Sequence, residues 1–165
     1  MNAALRHIPA ESPRPLAPLG VRRRAVLLTF GGYALVVLSA ATAGLARGGE
    51  LAWVAAALLG MILTATGAFQ LMHPRRLGLP EGRDHQLDER QWQQLARAHT
   101  TAYRLLGVLL VVGTGYLYVA SNNHRLPMPG TSFAWLTLYL GAALLLPTLP
   151  TAVLAWTEPD APDES

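Results

Sequence analysis

The 165-residue chain has no cysteine and no lysine. The missing thiols exclude a disulfide framework and thiolate-bound metal centres, and they leave the redox compartment unmarked. Charge is scarce too: Asp, Glu, Lys and Arg make up 14% of the residues, against about 25% in a typical soluble domain. The scarcity is uneven. No charged residue falls in 25–46, 51–72 or 133–156, runs of 22, 22 and 24 residues, and none falls in 105–121, a run of 17. At about 1.5 Å per residue, 22 helical residues reach roughly 33 Å, enough for a hydrocarbon core of ~30 Å. The 17-residue run sits at the short end of the spanning range, with Arg104 placed to snorkel to the headgroups.

Catalytic signatures are also absent. The sequence holds no nucleophile elbow, no phosphate-cradling glycine loop and no zinc motif. The four apolar runs carry neither carboxylate nor histidine, which removes the usual parts of a proton or ion relay. No catalytic residue, cofactor or bound metal is expected, and the chain is not expected to be an enzyme. Asp84, His85, Asp88 and Glu89 are the one cluster of metal-ligand types, and helix capping and solvation account for them without a metal.

What is present is 52% hydrophobic residues and a net charge of +3 carried by arginine alone. An all-arginine basic set suggests a GC-rich bacterial genome. The arginines flank the apolar runs, so membrane topology explains the positive charge better than nucleic acid does. Arg6, Arg14, Arg22, Arg23, Arg24, Arg75, Arg76, Arg83, Arg90, Arg97 and Arg104 fall on one side of a four-span arrangement. Only Arg47 and Arg125 fall on the other. Eleven against two places both termini and the middle loop in the cytoplasm.

The expected fold is therefore all-α: four transmembrane helices in two antiparallel hairpins, plus a cytoplasmic amphipathic helix. Residues 1–24, with Pro9, Pro13, Pro15 and Pro18, read as a disordered tail. A cleaved signal is a competing reading of the arginine triplet, but 22 apolar residues exceed the usual ~7 to 15 of a signal core. Residues 25–72 form the first hairpin, with spans 25–46 and 51–72 and a four-residue connection. In the second span Ala56, Gly60, Thr64 and Ala68 recur every four residues, a stripe of small side chains that lets another helix approach. Residues 105–156 form the second hairpin, with spans 105–121 and 133–156, and residues 157–165 an acidic tail. Pro147 and Pro150 predict a kink in the last span, with Thr148 and Thr151 placed to satisfy freed carbonyls.

Between the hairpins, residues 73–104 hold an irregular segment and then the polar helix 87–104. Asp88 and Gln91 resemble a capping box at its start. On a helix of about 100° per residue, Trp92, Leu95, Ala96, His99, Ala102, Tyr103 and Leu106 share an arc of roughly 120°, with Arg90, Arg97 and Arg104 opposite. Neither Gly nor Pro occurs from Leu87 to Leu106, so this helix is expected to run unbroken into the third span.

Two groups are candidate sites. Trp92, Leu95, His99 and Tyr103 form a candidate surface for a protein partner or a second copy of the chain. His73, Arg75, Arg76 and Arg104 are candidate contacts to lipid headgroups. The lipid bilayer is the one partner implied throughout. The D-E-R start at Asp88, Glu89 and Arg90, followed by Arg97 and Tyr103 before an apolar run, resembles an element of small prokaryotic multi-pass membrane proteins. The likeness covers about 20 residues and implies a bacterial inner-membrane location, with no activity attached. The expected role is a non-enzymatic interaction or regulatory component, with a small permease or lipid-handling protein as the alternative.

Overall fold

The computed structural model describes residues 16–43, 50–79, 89–123 and 126–158, and all regular structure among them is helical. Helix α1 spans Leu19–Thr42, α2 Glu50–Leu71, α3 Glu89–Asn122 and α4 Ser132–Thr157, with a 3₁₀ turn at Pro74–Leu77. All four helices are long and apolar enough to cross a membrane, which makes this a multi-pass membrane protein. Asp88, which opens the expected capping pair with Gln91, and most of the acidic tail lie outside the described residues.

Helix α1 begins six residues earlier than the charge-free run. Pro18 stands before its first turn, and the arginine triplet belongs to the helix rather than to a tail. Its inward residues are Arg22, Ala25, Thr29, Gly32, Val36 and Ser39, a spacing of 3-4-3-4-3 that keeps one seam facing a neighbour. On α2 the buried residues are Ala57, Gly60, Thr64, Gly67, Ala68 and Leu71. Of the expected every-fourth-residue stripe, Gly60, Thr64 and Ala68 are buried and Ala56 only partly so, while Ala57 and Gly67 join the seam beside it. A strict four-residue step drifts about 40° around a helix each time, whereas alternating three and four drifts only about 20° per heptad.

The two seams meet almost backbone to backbone. A Cβ on Gly32 would lie 2.6 Å from the Thr64 amide nitrogen and 2.8 Å from the Gly60 carbonyl oxygen. A Cβ on Gly67 would strike the Thr29 hydroxyl and lie 2.7 Å from the Ala25 carbonyl oxygen. Gly60 in turn meets Gly32 and Val36. Positions rise along α1 as they fall along α2, so this pair is antiparallel. Thr29 and Thr64 donate to the carbonyls of Ala25 and Gly60 at 2.8 Å each, so close packing leaves neither buried hydroxyl unpaired.

Helix α4 closes a three-helix core by packing on both α1 and α2. Gly141 leaves the space that the Tyr33 ring occupies, and the Tyr33 hydroxyl donates to the Leu138 carbonyl at 3.3 Å. Pro147 and Pro150 sit inside α4 without ending it. The carbonyls they deprive of a partner are four residues back, at Ala143 and Leu146. Thr148 donates elsewhere, to Leu145 at 2.8 Å and Leu144 at 3.4 Å, so its hydroxyl does not serve the carbonyls the prolines free.

Helix α3 stands apart. It is continuous for 34 residues, about 51 Å at 1.5 Å per residue, and packs on α4. Leu95, Ala98 and Ala102 are buried near its start and Ala120 near its end. Every position from 107 to 119 is exposed, on all sides of the helix. Within that stretch the Tyr116 hydroxyl donates to the Pro127 carbonyl, tying α3 to the connection that leads into α4.

Candidate functional site

The start of α1, the ends of α2 and α4, the 3₁₀ turn and the first turns of α3 converge at one end of the bundle. A buried cluster there joins Ala25, Leu71, Leu77, Leu79, Leu95, Ala98, Ala152, Leu154 and Ala155. The Ala17 amide donates to the Leu77 carbonyl at 3.2 Å, laying the segment before α1 across the 3₁₀ turn. Gly78 closes that turn at φ 68°, the left-handed region that disfavours a side chain.

Arg22 is wholly buried in this end. Its Nε donates to the Ala17 carbonyl and its Nη1 to the Glu158 carbonyl, both at 2.9 Å. The guanidinium thus holds the segment before α1 to the last turn of α4, where it meets the negative pole of that helix. Arg23, next in sequence, lies over the Trp156 ring at 5.2 Å. Both roles escape sequence reading, because a run of three arginines before an apolar span reads as an anchor whichever way each side chain points.

Of the proposed headgroup residues, two come together. The His73 Nδ1–H donates to the Phe69 carbonyl at 2.8 Å, and the imidazole lies 4.6 Å from the Phe69 ring. The Arg76 guanidinium sits over the same ring at 5.6 Å. Arg75 is exposed in the same turn, while Arg104 is exposed on α3, a different element. Phe69 is the residue that sequence reasoning missed; its signal was its place four before His73, one helical turn away.

The proposed partner stripe is split. Leu95 lies in the intramolecular cluster, so it is covered by the chain itself. Trp92 is 50% exposed and Tyr103 70% exposed, on the outward edge of the same arc. His99 lies between them, partly buried, its Nδ1–H donating to the Leu95 carbonyl at 2.9 Å. It borders a cleft of about 160 Å³ between α3 and α4, with Tyr103, Leu106, Leu146, Pro147 and Pro150 in the lining. The inward face of α3 runs through Leu95, Ala98 and Ala102, so the helix is rotated about its axis from the centre of the apolar arc.

Among the described residues no three His, Asp or Glu side chains gather as metal ligands. Of the acidic and histidine cluster, Glu89 alone is described; Asp84, His85 and Asp88 are outside the described residues. No family model, curated protein or solved structure matches the chain.

Proposed function

We propose that the chain is a multi-pass component of a bacterial inner membrane that works by engaging another protein, with α3 as its contact element. In this reading the helices cross as two antiparallel hairpins, both termini are cytoplasmic, and the part of α3 up to residue 104 stands on the cytoplasmic side. The eleven-to-two arginine asymmetry supports that orientation. A reporter fused after Ser165 that worked only outside the cytoplasm would overturn it.

The observation that carries the partner role is the unequal treatment of the helices. Three bury glycine and threonine against one another, while α3 is held near its ends and exposed between them. Lipid covers apolar residues within the hydrocarbon. A helix of about 51 Å crossing ~30 Å projects beyond it. Trp92 is exposed three residues before Leu95, which packs on the ends of α1, α2 and α4, while Tyr103 is exposed farther along, beside Leu146, Pro147 and Pro150 of α4. Aromatic side chains outside the lipid tails are good protein contacts.

The test is site-specific photo-cross-linking in native membranes from positions 92, 103 and 95. Protein adducts from 92 and 103, and none from the covered position 95, are expected; an adduct of twice the chain mass would identify a second copy as the partner. Lipid adducts alone from 92 and 103 overturn the proposal. The cleft beside His99 favours a second reading, a small permease or lipid-handling protein. Uptake of a neutral solute into proteoliposomes, abolished by His99→Phe, would support that reading instead.

A further inference from the structure

We infer that Phe69, His73 and Arg76 form a site for the phosphodiester of an anionic membrane lipid. The three side chains converge where the apolar run of α2 ends and the 3₁₀ turn begins. Phe69 is 54% exposed, so its ring is open to acyl chains on the side away from the bundle. The Nδ1–H of His73 is committed to the Phe69 carbonyl, which leaves Nε2 as the ring nitrogen available to a ligand.

Arg76 completes the arrangement. Held over the Phe69 ring, the guanidinium has a planar fork of N–H donors that can grip two phosphate oxygens at once. Among the described residues no carboxylate pairs with this guanidinium. Its backbone amide donates to the His73 carbonyl at 2.9 Å, and the Gly78 amide bonds the Arg75 carbonyl at 3.2 Å, so the turn fixes the direction in which both side chains leave.

The same end of the bundle repeats the pairing of arginine and half-exposed aromatic at Arg23 and Trp156. Aromatic rings at headgroup depth are the usual mark of a membrane interface. A lipid source is therefore favoured over a soluble phosphate: the ring platform contributes only if the ligand has apolar chains to lay beside it. Arg24, directly after Arg23 in α1, is an exposed arginine at the same end but outside both ring pairs, and so separates a built site from diffuse attraction.

The experiment uses the full chain in nanodiscs of phosphatidylcholine containing a minor fraction of spin-labelled phosphatidylglycerol, reading the immobilised fraction by electron paramagnetic resonance. The wild type is expected to immobilise phosphatidylglycerol over phosphatidylcholine, and Arg76→Gln to lower that preference about tenfold, as loss of a charge-assisted contact does. Arg76→Lys should recover only part of it, and Arg24→Gln should leave it unchanged. His73→Gln is the second variant if Arg76→Gln does not fold, and should also lower the preference. Equal losses in Arg24→Gln and Arg76→Gln, or no loss at position 76, overturn the site. Displacement of the labelled lipid by inorganic phosphate from wild type would make it a soluble-anion site and overturn the lipid assignment. The outcome is independent of whether α3 binds a protein.

Discussion

The Thr29 hydroxyl occupies the space that a side chain on Gly67 would need, and across the same interface Thr64 packs against Gly32. Each helix contributes one threonine and, three residues later, one glycine, and the antiparallel register sets the threonine of each against the glycine of the other. Because lipid tails are as apolar as leucine, burial alone supplies little drive for helices to associate in a bilayer. Close backbone approach and dispersion contact supply it instead.

Adding a methyl group at these glycines should therefore loosen the pair. Gly32→Ala and Gly67→Ala are each expected to destabilise the protein by about 1–3 kcal/mol, since backbone rather than a flexible side-chain tip blocks the new Cβ. Gly107→Ala and Gly113→Ala meet nothing within 4 Å and should be neutral or stabilising by up to ~1 kcal/mol through helix propensity. Unfolding in mixed micelles, followed by far-ultraviolet circular dichroism, separates the two classes; equal losses at positions 32 and 107 would contradict the packing account.

Arg22 and Arg23 are adjacent and alike in sequence, yet their loss should differ. Arg22→Gln withdraws donors from the carbonyls of Ala17 and Glu158, costing about 1–3 kcal/mol for each acceptor left unpaired. Arg23→Gln gives up one cation–π contact, about 0.5–1 kcal/mol at an exposed site. Thermal melts should rank Arg22→Gln well below Arg23→Gln, and the reverse order would place the closing contact elsewhere.

Leu95 and Trp92 make the third contrast. Leu95→Ala removes a side chain from a buried cluster and is expected to cost roughly 2–5 kcal/mol, toward the lower end at so small a core. Trp92→Ala should change stability by less than ~0.5 kcal/mol, as an exposed substitution does. Chemical denaturation of both variants checks this, and a large loss at position 92 would mean that the outward edge of α3 is covered within the chain.

The four helices were legible because charge is absent from long runs, a signal that needs no knowledge of what packs on what. The unbroken α3 was legible for a similar reason, the lack of Gly and Pro from Leu87 to Leu106. Which residues face which neighbour was much less so. Counting by fours found Gly60, Thr64 and Ala68 but missed Ala57 and Gly67, because the close seam also steps by three. The apolar arc of α3 was visible, but Leu95 and Trp92 carry the same periodicity, and only the approach of Leu77, Leu154 and Ala155 decides which is covered. His73 and Arg76 stood out by composition; the ring that gathers them is an ordinary phenylalanine until the chain turns at Pro74.

Biosynthesis imposes an order on these contacts. The Thr29–Gly67 pair can form once the second helix has left the ribosome, but the Glu158 carbonyl that Arg22 binds lies 136 residues downstream. At about 5–20 residues per second, that interval is on the order of 7–27 s. Throughout it the Arg22 guanidinium has the Ala17 carbonyl within reach but no Glu158, and its other donors stay with water or headgroups. The first helix pair therefore assembles with its end open, and the last turn of α4 is what draws the arginine inside.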